Sequence, residues 1–447
     1  MSDKADGPDS KRTKLLNLFN SFNFRVILAI TSLHLIFIVI FDKVTAFASD
    51  EDIYMGVFNN LYTSDFSLDD GSVWQTGSIN ALRVIYLPAK LLEVIGFSDF
   101  YSLRSLSVFY SMLSLNLLLR MASEANILRL PIRFWLSAGY LIPSIFVWSS
   151  LGLRESFIFF SFIAIFYLLV NPRNLAFGVQ FLLLVAASTF LLVSKVYLFG
   201  LLLISLLTSV AAFSIRKIRI EGKTLKLIWA FLIPLILLPT TSTNLVTKAS
   251  VTLESKLYLN TPRPTTIEGG QTLVELNRQL DKNPILSWLT SISGAKSYLD
   301  GRLEAAYLPP GSKELSKKIA QRKTQPASLQ DPISLLVGAY NFLFVPIPFV
   351  DNGSFFLNAQ SYESFLWYFY YLILVILLVG LIRRRDVLNL VTLSSSLFSI
   401  GFIMMSTLIE INDGTSVRHR AVLLIGILVI LATYRREEPT PSTPPIF

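Results

Sequence analysis

Three acids stand together in the stretch "ASDEDIYMGVFNN": Asp50, Glu51 and Asp52. Adjacent carboxylates can take a proton from a hydroxyl or hold a divalent cation; a solvated acidic turn is the plain alternative. Cations answer them from three other places. Arg154 and Glu155 lie in "PSIFVWSSLGLRESFIFF", where a turn becomes a helix. Glu155 there complements the helix dipole, whereas a cation such as Arg154 at a helix N-terminus is unfavourable unless it meets an anion. Lys195 interrupts the apolar run "STFLLVSKVYLFGLLL". It either snorkels to an interface or serves a function, as ionisable groups in membrane segments commonly do. The stretch "EINDGTSVRHR", residues 410–420, ends in Arg418, His419 and Arg420 behind an Asn412-Asp413-Gly414-Thr415 turn. The two guanidinium groups carry forked donors suited to phosphate oxygens, or they pair with Glu410 and Asp413 as a clasp.

The elements that must position these residues are membrane helices. Of 447 residues, 53% are hydrophobic and 15% charged, and the mean hydropathy is +0.56. That balance specifies an all-α polytopic membrane protein. Apolar runs near 24–41, 105–121, 134–149, 156–171, 175–193, 196–214, 226–240, 363–382, 388–408 and 420–434 predict about ten transmembrane helices. The stretch 337–350 is interrupted by Pro346 and Pro348 and reads as interfacial or re-entrant. There is no cysteine, which excludes disulfides and thiolate chemistry. Two histidines, His34 and His419, exclude a His-rich metal site, and His34 within the first helix reads as a hydrogen-bonded structural residue. The net charge of +9 belongs to basic cytoplasmic loops and not to a nucleic-acid site.

Those loops orient the chain. "KRTK" at 11–14 holds the N-terminus inside; Arg120, Arg129 and Arg133, then "NPRN", "RKIRIEGKTLK", Arg383–Arg385 and Arg435–Arg436, fall on the same side by alternation. The chain divides into a cytoplasmic tail (1–23), an N-terminal membrane domain (24–240) with a first outer loop at 42–104, an extracytoplasmic segment (241–362) with helix-like pieces at 271–281 and 312–322, C-terminal membrane helices (363–434) and a Pro-rich disordered cytoplasmic tail (435–447). The long outer region of short helices forms a cap or lid. Asp50–Asp52, Arg154, Lys195 and Arg418–Arg420 then all reach the outer face. Cations for a phosphate beside carboxylates for proton transfer suit a lipid-phosphate substrate.

These residues resemble a family. "SDEDIY" after the first helix is similar to the acidic loop motif of membrane glycosyltransferases of the C superfamily (GT-C-like), which use polyprenyl-phosphate donors. "PSIFVWSSLGLRES" resembles a pattern of bacterial polysaccharide-assembly proteins, including O-antigen polymerase-like ones. "NFLFVPIPF", "YESFLWYFYYLILVILLVGLIRR" and "NDGTSVRHR" look like late segments of the same group. Lys195 departs from it, standing where an arginine is expected. The resemblance implies a membrane glycosyltransferase or polysaccharide polymerase acting on polyprenyl-(pyro)phosphate-linked sugars outside the bacterial inner membrane, with both termini cytoplasmic. It makes Asp50 or Asp52, with Glu51 beside them, the catalytic acids. Arg154, Lys195, Arg418, Arg420 and His419 hold the phosphate, Glu155 and Asn412 orient, and Tyr54 stacks on a sugar. No cofactor is required, and a divalent cation is compatible with the acids. The implied partners are the polyprenyl-linked sugar and the bilayer, with no nucleic acid. The rival readings are a flippase or transporter of lipid-linked oligosaccharide, which predicts charge deep within several helices, and a non-catalytic envelope-assembly component.

Overall fold

A computed structural model describes residues 22–40, 51, 54–55, 58–59, 73–125, 130–170, 175–218, 220–237, 332–349, 355–383, 389–409 and 413–434. Among them are thirteen α-helices and no strand. We number them α1 (Phe22–Ile40), α2 (Val73–Val94), α3 (Asp99–Glu124), α4 (Leu130–Gly139), α5 (Pro143–Ser150), α6 (Glu155–Leu169), α7 (Phe177–Ser194), α8 (Val196–Ile215), α9 (Gly222–Leu237), α10 (Pro332–Phe344), α11 (Phe355–Arg383), α12 (Leu390–Ile409) and α13 (Asp413–Thr433). The pieces expected at 271–281 and 312–322, and both tails, lie outside the described residues.

Among the described residues six helices are long and apolar enough to cross a bilayer: α1, α3, α7, α8, α11 and α12, with the bent pair α4–α5 a seventh if it counts as one span. This is a multi-pass membrane protein, and length and composition of the described helices do not confirm the expected count of ten spans. The run 134–149 divides into α4 and α5, bent by 60°, because Pro143 cannot continue the α4 ladder and opens a new helix. The run 156–171 becomes the 15-residue α6, and 226–240 the 16-residue α9 with Pro234 inside it. The run 420–434 is the inner part of α13, whose residues Ala421 to Ile430 are buried on every side. A helix that is apolar all round is a core helix, and α13 is the post about which the others stand. It packs on α12, α3, α11 and α4.

Small residues let the central helices approach. In "LSSSLFSIG" Ser395 Oγ donates to Gly426 O at 2.9 Å, and a Cβ on Gly426 would meet Ser399 Oγ at 2.5 Å. Helices in lipid associate through such close packing and small polar contacts. Towards the lipid, α1 exposes Leu33, Leu35, Ile36 and Val39, and α11 exposes Leu372, Val375 and Ile376.

The first outer loop, expected at 42–104, contains the whole of α2 and the start of α3. Ser98 caps α3, its hydroxyl accepting from Tyr101 N. The stretch 337–350 begins as α10, 13 residues or about 20 Å long, too short to cross hydrocarbon unaided. It stops at Phe344, before Pro346, as the prolines require.

Candidate functional site

α5 and the loop after it form the hub of one end of the bundle. Its Ser144 N–H and hydroxyl both donate to the carboxylate of Glu363 on α11, the N–H at 2.8 Å, and Trp367 Nε1 donates to the same group. A carboxylate over the first turn answers the free N–H groups there. Further along α5, His34 of α1 stacks on Phe146 at 4.1 Å, and its Nδ1 lies 2.6 Å from Ser150 Oγ. The Ser150 hydroxyl donates to Phe146 O, so the imidazole Nδ1–H is the donor towards Ser150. His34 is thus the hydrogen-bonded histidine expected.

Beyond α5 the chain turns through Leu151, Gly152 and Leu153 into Arg154. Gly152 N donates to Glu51 Oε1 at 2.9 Å. Glu51 also takes the fork of Arg104, Nε to Oε1 at 2.8 Å and Nη2 to Oε2 at 2.9 Å, with both side chains at most 1% exposed. A Cβ on Gly152 would come within 2.9 Å of Leu103 Cβ, so only glycine lets this loop lie on α3. Of the three acids, Glu51 is the one described. Its carboxylate is spent holding the loop to α3, which makes it an anchor of the site. Asp50 and Asp52 lie outside the described residues. Tyr54, expected to stack on a sugar, is 3% exposed and packed in the core, so its ring is not offered to a ligand.

The loop delivers Arg154 and Glu155 to the start of α6. There Arg418, on the first turns of α13, reaches across: its Nε donates to Glu155 Oε1 at 3.0 Å and its Nη2 donates to the same oxygen. The Arg418 guanidinium lies 4.7 Å from the Trp148 ring centroid, a cation–π contact that fixes its plane. Lys195 and Arg154 add positive charge within electrostatic range of the same carboxylate. Glu155 Oε2 is buried and makes no hydrogen bond among the described residues. Lys195 is there because the α7–α8 ladder breaks at it: its backbone adopts φ −147°, ψ 79°, and its ammonium stands 5.5 Å from the Tyr197 ring. It is 7% exposed, so it does not snorkel to water.

The structure therefore brings together Arg154, Glu155, Lys195 and Arg418, from the α5–α6 loop, the α7–α8 break and α13. Arg418 thus reaches an acid on another helix; the side chains of Glu410 and Asp413, its alternative partners in sequence, lie outside the described residues. Arg420, expected beside it on the phosphate, turns the other way: Nε donates to Phe342 O at 2.6 Å, and Nη2 to Val345 O. It caps the C-terminal carbonyls of α10, a favourable post for a cation. His419 is half-buried next to Arg418, and Asn412 lies outside the described residues. No group of three or more His, Asp or Glu side chains with metal-holding geometry occurs among the described residues.

Reading the sequence missed three members of this framework. Trp148 lay inside a quoted motif, but nothing in its spacing pointed to Arg418. Arg104 in "YSLRSLSVFY" and Glu363 in "YESFLWYFYY" are solitary charges entering apolar helices, and that isolation is the signal by which both could have been found. Glu363→Ala is expected to lower stability by about 1–3 kcal/mol, since Ser144 and Trp367 lose their acceptor. Glu363→Gln, which keeps an acceptor oxygen, is expected to lose less. Thermal unfolding in detergent orders the two.

Comparison with family models, with curated proteins and with solved structures gave no match to this chain.

Proposed function

We propose that this protein transfers glycosyl groups from polyprenyl-(pyro)phosphate-linked sugars, as a single-sugar transferase or a polysaccharide polymerase, at the extracytoplasmic face of the bacterial inner membrane. The observation that carries the proposal is the convergence of Arg154, Lys195 and Arg418 on one buried carboxylate, Glu155. Three cations from three separate connections stand around this one carboxylate in a site walled by apolar helices. In so poor a dielectric, a cluster of cations favours an anion, and a lipid phosphate is the anion a bilayer brings to it.

In the reaction the bond between the anomeric carbon and the phosphate oxygen breaks, an acceptor hydroxyl bonds to that carbon, and its proton passes to a base. Negative charge grows on the departing phosphate. Fixed cations stabilise that developing charge without reorganising, commonly one of the largest catalytic contributions. Arg418 is held firmly, gripped by Glu155 and backed by Trp148. Asp50 or Asp52 takes the proton, worth roughly 10²–10⁴-fold when well positioned. Glu51 anchors the loop that carries Arg154.

The test is the chain-length profile of surface glycan in a deletion strain complemented with wild type, Asp50→Ala, Asp52→Ala and Arg154→Ala. Wild type restores the profile and the variants leave it lost or shortened to single repeats. An unchanged glycan in the deletion strain overturns the proposal. So does purified protein that moves lipid-linked oligosaccharide across vesicles without forming a glycosidic bond, the outcome for a flippase.

A further inference from the structure

α2 (Val73–Val94) raises a question of topology that the chain itself answers. Glu51, which follows α1, is bonded to Arg104, the sixth residue of α3. The end of the chain segment after α1 and the beginning of α3 therefore lie at the same end of the bundle. Between them the chain crosses the bilayer an even number of times. α2 is the one long helix in that interval among the described residues. The other connecting sequence, "NNLYTSDFSLDDGS" at 59–72, carries Asp65, Asp69 and Asp70, which hydrocarbon excludes. A second crossing has nothing to make it, so α2 does not cross, despite its 22 residues.

Its faces are divided accordingly. Ala81, Leu82, Ile85 and Ala89 are buried against the bundle. Val84, Leu87, Leu91, Val94 and Ile95 are 55% to 83% exposed, and at helical spacing they form one stripe roughly 100° wide. Arg83, exposed, and Lys90, half-buried, fall at one edge of that stripe. Lys90 pairs with Glu93 at 2.6 Å, and its ammonium lies 4.8 Å from the Phe58 ring. An apolar stripe bordered by basic side chains is the pattern of a helix lying in the membrane interface.

We infer that α2 lies in the plane of the leaflet at the end of the bundle that carries the Glu155 cluster, with Val84, Leu87, Leu91 and Val94 among the acyl chains and Arg83 and Lys90 at the phosphate headgroups. It is a lipid-seated shelf beside the site, and it stands whether or not the protein is a glycosyltransferase.

The absence of cysteine makes the test direct. Single-cysteine variants at Val84, Leu87, Leu91, Val94 and, as a water-facing control, exposed Glu221 are spin-labelled in vesicles of phosphatidylethanolamine and phosphatidylglycerol. Collision with oxygen is compared with collision with a soluble nickel chelate. The four stripe positions are expected to favour oxygen, at one shared depth, while Glu221 favours nickel. Depth that changes steadily from Val84 to Val94, by about 1.5 Å per residue, means that α2 spans and overturns the inference. Nickel access at Leu87 and Leu91 equal to that at Glu221 means a face for water or for another protein, and overturns it equally.

Discussion

Arg418→Ala is expected to lower glycosyl transfer by about 10²–10³-fold, the loss typical when one preorganised donor to a developing anion is removed. The geometry makes Arg418 the most exposed to such a loss. Its fork is committed to one oxygen of Glu155, its plane lies against Trp148, and its side chain keeps 18% exposure, unlike buried Arg420. Removing it leaves Glu155 beside Arg154 and Lys195, so the carboxylate keeps cationic neighbours and the fold is expected to persist. Arg418→Lys restores the charge without the fork and is expected to fall between wild type and alanine. Arg420→Ala is the contrast. It frees the carbonyls of Phe342 and Val345, and its effect is expected on thermal stability. The assay is turnover of a polyprenyl-pyrophosphate-linked sugar by protein in nanodiscs, with kcat and KM separated. Turnover by Arg418→Ala within a factor of two of wild type removes this residue from the site.

Arg104→Ala is expected to cost about 3–5 kcal/mol of stability, because it leaves the Glu51 carboxylate buried without its partner. At 0% and 1% exposure neither member of the pair has water to fall back on. Replacing both, Glu51→Leu with Arg104→Met, removes the charge together with its desolvation cost and is expected to recover most of that loss. The pair of measurements also decides what Glu51 is for. As a proton acceptor, its loss abolishes turnover in a protein that still folds. As the anchor of the Gly152 loop, Glu51→Gln, which keeps an oxygen for Gly152 N–H, retains more turnover than the alanine variant. Unfolding by heat in detergent gives the first quantity, and single-turnover transfer gives the second. Arg104→Ala with unchanged stability contradicts the buried fork.

The particular residues show where reading the chain stops. Arg154, Lys195 and Arg418 could be singled out because each breaks an apolar context, and an ionisable group in such a setting is costly unless it has a task. Their common end of the bundle followed from counting helices between them. Which acid Arg418 meets did not follow. Glu410 and Asp413 are near in sequence and gave no hint of the contact with Glu155, 263 residues away. Likewise Arg418 and Arg420 look like one clamp in sequence. On a helix two residues apart they point about 200° from each other, so one faces Glu155 and the other α10.

Composition alone determined that this is an all-helical membrane protein, since a chain so apolar can satisfy its backbone in lipid only within helices or a closed barrel, and its long continuous runs choose helices. The order of residues marked the helix stop before Pro346, because a missing N–H is a local fact, whereas Pro88 and Pro234 are carried inside helices and Pro143 divides a run that reads as one span. Which apolar runs cross and which form a central post, a bent pair or an in-plane shelf was decided by tertiary structure. So was the division of the charged residues between anchor, cap and cluster. Hydropathy measures the free energy of leaving water and is the same for lipid and for a protein interior, whereas the partner of a charge depends on distances that close only when the helices pack.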